Sequence, residues 1–286
     1  MKRLAFLAIV LFGLSGAAAQ ARPIVHKSRE TRDQVLRYWT AERMKNAVPA
    51  QRTRQAKASA GSTTTGATSF ESPLPYPSAH GKVFFTDSGV NYVCSGTALV
   101  STNKSVVWTA GHCVNEGPGA FYKNFMFVPA YRDGAAPYGK FAGPTLLTTS
   151  GWQTQGEFGV DEGAAVVGRN ASGQTLTDAV AERSIVFNST RNQRYKLYGY
   201  PAAKRFSGGR LMICDTAWSR NDTSTNPDDM GVPCDMTGGS SGGGWVTSTG
   251  AVASVVSYGY NGLKNVLFGP HLETQAQQLY STAQTR

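Results

Sequence analysis

From about Pro75 to the C-terminus the apolar residues come in short bursts, and this spacing limits the fold before any motif is considered. Runs at 82–86, 90–99, 105–108, 124–129, 163–167, 196–200, 244–247 and 252–258 hold β-branched or aromatic residues and are separated by turn residues. With 32 glycines and only 16% charged residues, the chain favours short strands and tight turns. The pattern predicts an all-β protein, a sandwich or barrel of antiparallel strands. One short C-terminal helix is expected, because residues 272–283 space their apolar groups helically. No internal repeat of fixed period is present.

The N-terminal region differs. Met1-Lys2-Arg3 gives a positive start, residues 4–14 are almost wholly apolar, and Ala17, Ala18, Ala19 and Ala21 follow. This is the three-part pattern of a secretory signal peptide, read as residues 1–19, with cleavage after Ala19 or Ala21. An apolar run of 11 residues is short of the roughly 20 needed to span a bilayer, so export is expected and no membrane span. Residues 29–48 are basic and carry Val35, Leu36, Trp39 and Met44 at helical spacing. Residues 51–69 are a Gly/Ser/Thr/Ala stretch without periodicity, the composition of a flexible linker. Residues 20–70 therefore read as a pro-segment and linker, or alternatively a surface-binding arm, ahead of a domain at 71–286. The net charge of +10 belongs to this extension: residues 1–58 hold 12 Lys/Arg against 3 Asp/Glu, and residues 59–286 hold 16 against 15. A nearly neutral body implies no nucleic acid as partner.

Export makes the four cysteines readable as a disulfide framework. Three pairings are possible in principle. Cys94 with Cys113 and Cys214 with Cys234 are preferred, because each closes a local loop of about 20 residues, which typically contributes around 3 kcal/mol. No metal is expected: there is no Cys-x-x-Cys spacing and no second histidine near these cysteines.

Two motifs carry chemistry. In Trp108-Thr109-Ala110-Gly111-His112-Cys113 a β-type run ends and a small Ala-Gly pair lets the backbone turn sharply to present His112. Cys113 can fasten that turn to the run carrying Cys94, fixing the imidazole as a proton carrier requires. The second motif, Gly238-Gly239-Ser240-Ser241-Gly242-Gly243-Gly244-Trp245, sits between Cys234 and an apolar run, so it is no unattached linker. Glycines around a hydroxyl permit close approach of a substrate and turns that aim amide N–H groups inward, an arrangement suited to a serine nucleophile with an oxyanion hole. Either motif alone has an ordinary explanation, a structural histidine or a glycine-rich loop.

Taken in order, with Cys94 ahead of the histidine, the T-A-G-H-C and G-x-S-G-G blocks resemble the trypsin/chymotrypsin-like serine peptidases. The small secreted bacterial branch that includes the glutamyl endopeptidase relatives is the nearest, and the similarity covers roughly residues 78–270. The resemblance implies two antiparallel six-stranded β-barrels with the active site between them. It implies a secreted, monomeric endopeptidase that hydrolyses protein or peptide substrates through an acyl-enzyme, without cofactors. His112 matches the general base and Ser241 the nucleophile, with Ser240 the adjacent competitor. The amides of Gly239 and Ser241 would form the oxyanion hole. The orienting acid lies between the two motifs in this family, where Asp133, Glu157, Asp161, Glu162 and Asp178 are candidates. Asp161 matches, standing just before Gly163-Ala164-Ala165-Val166-Val167, whereas Glu162 would point the opposite way on an extended backbone.

Asp235, six residues before Ser241, falls where trypsin-like members set the base of the primary pocket, which implies a preference for Arg or Lys at P1; a turn cap after Cys234 is the other reading. Ser257, Tyr258 and Gly259 resemble the strand that pairs with the substrate backbone. The sequence also departs from the family. Val256 stands where glutamyl-specific relatives often carry a histidine, Gly244 where proline is frequent, and uncharged Ser240 where trypsin's acid receives a new N-terminus. Activation must therefore use pro-segment removal in some other way. The main alternative is a catalytically inactive homologue acting as a binding protein. An α/β-hydrolase is excluded by the unexplained T-A-G-H-C block and the lack of alternating helices.

Overall fold

A computed structural model of the protein describes residues 22–55, 69–71 and 78–286. The signal-peptide segment 1–19 and linker residues 56–68 lie outside the described residues. The chain forms the two-barrel architecture of trypsin-like proteins. The first barrel runs through Thr145–Thr148, Gly163–Val166, Val106–Thr109, Val90–Leu99, His80–Asp87, Lys123–Pro129 and Phe141–Ala142, each pair antiparallel. The two ends of that path, Phe141–Ala142 and Thr145–Thr148, are separated in sequence only by Gly143 and Pro144, so the sheet must curl until its ends meet. Its core holds Val83, Phe85, Val107, Trp108, Phe127 and Leu147.

The second barrel is built from two sheets. One orders Val252–Val255, Gly244–Val246, Arg194–Gly199, Met212–Ala217 and Ser69–Glu71; the other orders Arg220–Asp222, Asp229–Pro233, Val266–Gly269, Tyr258–Asn261 and Arg52–Gln55. The Cys214–Cys234 disulfide joins them around Tyr195, Leu197, Met230 and Trp245. The C-terminal helix, Thr274–Ala283, follows the last strand of this barrel but buries Ala276, Leu279 and Ala283 in the core of the first. It thereby clamps the two barrels together.

The N-terminal segment is docked on the body. Ile24–Lys27 adds an antiparallel strand to Thr145–Thr148. The helical spacing of residues 29–48 resolves into two helices, Arg32–Tyr38 and Ala41–Asn46, because Thr31 and Thr40 each start a helix by accepting a hydrogen bond from the third following amide. Their Val35, Trp39 and Met44 pack on Phe84, Met126 and Val128 of the first barrel, and Trp39 Nε1 donates to Asn124 O at 2.7 Å. Burying such side chains is worth about 1.5–3 kcal/mol each, which explains why so short a pair of helices is ordered. The linker expectation for 51–69 is corrected at its start: Arg52–Gln55 is a strand, paired in parallel with Tyr258–Asn261. Its polar sequence has no strand signal of its own; the partner edge supplies the structure.

Candidate active site

His112 lies on a short 3-10 turn, Gly111–Cys113, directly after the strand Val106–Thr109. Gly111 is required there, since a Cβ would come within 2.8 Å of the Trp152 ring and 2.9 Å of Asp161 Oδ1. The Cys94–Cys113 disulfide, with Cα atoms 6.2 Å apart, pins the turn to the neighbouring strand. Cys94, Cys113 and His112 present three metal-ligand atoms within 4.8 Å of one another, but the two sulfurs are spent on each other in that disulfide.

Asp161 ends the turn Phe158–Val160 and precedes Gly163–Val166, whose Gly163 is opposite Thr109 in the sheet. That register brings the carboxylate to the histidine turn. The His112 backbone N–H donates to Oδ1 at 2.8 Å, Nδ1 lies 2.7 Å from Oδ2, and the Ser257 hydroxyl donates to Oδ2 at 2.5 Å. Burial opposes ionisation of Asp161, but the charge and hydrogen bonds of His112 together with the Ser257 bond outweigh it and hold the carboxyl below its ordinary value. The Ser257 contact was not anticipated from sequence, where Ser257 figured only as a substrate-strand residue; no spacing rule connects it to residue 161. Glu162 is buried on its own, with Oε2 lacking a partner among the described residues.

The serine loop is seated by close approaches that only glycine permits. Gly242, at φ +79°, lies so close to Thr109 Oγ1, Ser95 O and Ala110 N that a Cβ would collide with all three. Ser95 N donates to Ser241 O at 2.7 Å, and Gly242 N donates to Val256 O at 2.7 Å. Ser241 is thus held against the strand end that leads into His112. The hydroxyl of Ser240 is occupied within its own turn, donating to Thr237 O at 2.7 Å. His112 Nε2 is buried without a hydrogen-bond partner among the described residues, so it makes no hydrogen bond to the Ser241 hydroxyl.

The N-terminal segment crosses this cleft. Val48–Pro49 pairs with Tyr92 and Val93, Ala50 N donates to Val93 O, and the Gly239 amide donates to Ala50 O at 3.0 Å. A backbone carbonyl oxygen therefore stands at one of the two amides expected to bind a substrate oxyanion. Gln51 lies over Gly238, and Arg52 and Thr53 are paired with Tyr258 and Gly259. Between this segment and His112 is a cavity of about 210 Å³, lined also by Phe85, Tyr92 and Tyr122. Asp235 lies apart from the strand at 257–259 in its bonding: Arg205 holds Oδ2, while Oδ1 is buried without a hydrogen-bond partner.

Two barrels with an imidazole–carboxylate pair at their junction and a glycine-seated serine opposite it define the class of trypsin-like serine proteases. No protein-family profile and no curated protein matches the chain. Among solved structures, the protease Anisep from Arthrobacter nicotinovorans is 42% identical, covers 77% of this chain and 100% of its own, and superposes with a TM-score of 0.72. The thermostable serine protease AL20 from an extremophilic microorganism is also 42% identical, with coverages of 72% and 97% and a TM-score of 0.68. A Glu endopeptidase at 20% identity, covering 78% and 99%, shares the fold with a TM-score of 0.63. The chain belongs to the bacterial serine proteases with the trypsin/chymotrypsin-like fold, and it is a serine endopeptidase. No helix among the described residues is long and apolar enough to cross a membrane.

Proposed function

We propose that the cleft hydrolyses peptide bonds through an acyl-enzyme on Ser241. The hydroxyl oxygen bonds to the scissile carbonyl carbon while His112 Nε2 takes its proton, and the amides of Gly239 and Ser241 stabilise the oxygen that becomes negative. The imidazolium then gives its proton to the leaving amine, the C–N bond breaks, and the acyl group remains as an ester. A water that loses a proton to His112 cleaves the ester and restores the hydroxyl. Asp161 accepts the Nδ1–H, which fixes the tautomer and stabilises the imidazolium. The observation that carries this reading is the Asp161 carboxylate, buried and held by His112 N, His112 Nδ1 and Ser257 Oγ. Ala50 O on the Gly239 amide supports the oxyanion assignment.

The finer readings follow from the same cleft. A preference for Arg or Lys at P1 is supported only by the buried, unpartnered Oδ1 of Asp235; the Arg205 ion pair on Oδ2 competes with that role. Residues 20–70 act as a pro-segment and linker, since 52–55 occupy the edge Tyr258–Asn261 that a substrate backbone would use and Ala50 O lies on the Gly239 amide. The protein is exported by residues 1–19, acts outside the cell on protein or peptide substrates, and works as a monomer. An inactive binding homologue is not favoured, because none of the three residues has been replaced. A fluorophosphonate probe should label Ser241 in processed protein, and Ser241→Ala should abolish both labelling and peptide turnover. Full activity in that variant would refute the mechanism.

A further inference from the structure

The segment that crosses the cleft differs in direction from a peptide that the cleft would cut. Val48 and Pro49 pair in parallel with Tyr92 and Val93, and Arg52–Gln55 pairs in parallel with Tyr258–Asn261. Between the two pairings Ala50 N donates to Val93 O at 2.9 Å, and Ala50 O accepts from Gly239 N at 3.0 Å. The segment therefore enters beside the Val90–Leu99 strand, passes Gly239 and leaves along Tyr258–Asn261. Both of its ends are fastened. Upstream, Val35, Trp39 and Met44 pack on the first barrel. Downstream, Arg54 lies in a box formed by the rings of Phe158, Tyr258 and Tyr260, with Nη1 3.4 Å from Asp222 Oδ2. The catalytic groups fix the direction a productive peptide must take. Ser257 is bonded to Asp161, so the strand Tyr258–Asn261 leads away from the reacting atoms, and the acyl side of a substrate lies along it. The leaving amine must face His112, whose turn is tied through Cys113 to Cys94, the neighbour of Val93. A substrate thus runs, N-terminus to C-terminus, from Asn261 toward Val93 and antiparallel to Tyr258–Asn261. The segment runs the other way.

We infer that the cleft holds residues 48–55 as a reversed peptide, an inhibitor built into this chain that the active site cannot cut. The inference rests on the hydrolase and pro-segment readings above. Reversal exchanges the two sides of every peptide bond. With Ala50 O on the Gly239 amide, the nitrogen bonded to the same carbonyl carbon, Gln51 N, is on the Tyr258 side, whereas His112 delivers its proton on the Val93 side. A cavity of about 210 Å³, lined by Ala50, Gln51, Arg52 and His112, opens between them, and His112 Nε2 has no hydrogen-bond partner among the described residues. The C–N bond breaks when the departing nitrogen receives a proton from a positioned acid. Gln51 N has none, so the Ala50–Gln51 bond persists. The same reversal protects Arg52 and Arg54, which a preference for arginine at P1 would otherwise select in a peptide lying on the catalytic groups. Parallel pairing is slightly weaker per residue than antiparallel pairing, so a substrate competes favourably once the segment is no longer tethered.

The test compares two cross-links in the full chain carrying Ser241→Ala, which keeps it uncut. All four native cysteines are in disulfides, so introduced thiols are the only free ones. Gln55 and Asn261 are register partners and both are exposed. Gln55→Cys with Asn261→Cys should therefore be joined efficiently by a short bis-maleimide, and Val48→Cys with Asn261→Cys at least about tenfold less, since Val48 lies at Tyr92. A segment bound in the substrate direction gives the opposite order. That order, or equal yields, overturns the inference. A second measurement follows turnover of a mixed peptide pool by the full chain with Ser241 intact. Ala50→Pro lacks the N–H given to Val93 and should raise kcat/KM about tenfold, the size expected of one hydrogen bond. Mass spectrometry of the unaltered full chain should find every bond between residues 48 and 55 uncut. Cleavage there overturns the reversal, and equal turnover by both proteins overturns the inhibition. Absence of turnover in both, with the cross-link order as expected, overturns the hydrolase reading and leaves the reversed seating in place.

Discussion

The chain has two contrasting sides where it passes through Asp161 and Glu162. These neighbours are both buried at the head of the strand Gly163–Val166. On the cleft side, Asp161 receives three hydrogen bonds from His112 and Ser257 and stays ionised below its ordinary range. On the other side, burial together with the charges of Asp161, Asp229 and Glu273 pushes Glu162 well above its ordinary range, and its Oε2 has no partner. Burial alone makes a carboxyl neutral; donors aimed at it reverse the outcome. The protein needs one negative charge in this place, and the donors decide which of two adjacent acids carries it.

The sharpest way to break this contrast is Asp161→Asn. With its acceptor replaced by an amide, the imidazole loses its tautomer lock, and kcat should fall on the order of 10⁴-fold with KM little changed. A loss below tenfold in steady-state kinetics would give the orienting role to another residue. Ser257→Ala removes one of the three donors and should lower kcat about tenfold while KM holds. It also bears on pH. Because Asp161 in the folded protein lies below its unfolded value of about 3.8, its ionisation stabilises the fold above that value, and the gain is lost as pH falls through the folded value. Without Ser257 that gain should shrink by about 1.5–3 kcal/mol at pH 7, with the difference from the unaltered protein closing under acid conditions. Denaturant curves at pH 7 and pH 3 would settle it. Glu162→Gln has the smallest expected effect and the opposite sign. A carboxyl raised in the folded state costs stability once pH exceeds the unfolded value of about 4.5, so the amide should add on the order of 1 kcal/mol at pH 7, roughly 2–4 °C in Tm, and nothing at pH 3. Identical melting of both proteins at pH 7 would mean that Glu162 is not held neutral.

Much of this was legible beforehand because it is local. Short β-branched runs and turn glycines specified an all-β chain of antiparallel strands, the resemblance to trypsin-like proteases implied two barrels, and the Thr-Ala-Gly-His-Cys turn marked His112 at a strand end. Asp161 was legible through the resemblance, which places an acid just ahead of a strand like 163–167, while strand alternation argued only that Glu162 points the other way. Ser257 was assigned to the substrate edge alone, and its bond to Asp161 spans 96 residues of sequence. Arg52–Gln55 was read as linker because Arg, Thr, Arg and Gln have no apolar alternation; the exposed edge at Tyr258–Asn261 makes them a strand. The box around Arg54 draws Phe158, Asp222, Tyr258 and Tyr260 from three distant stretches, and no spacing rule gathers them.

By itself the sequence determined the alphabet of this protein: short strands, paired cysteines, one histidine turn, one serine loop framed by glycines. Those properties depend on backbone preferences and on neighbours within a few positions. Tertiary structure alone decided which acid is charged, which hydroxyl is spent in its own turn, and what lies in the cleft. Each of these turns on the dielectric and the donors around a group, and those are supplied by chain segments from elsewhere in the sequence, meeting where two barrels close on one another.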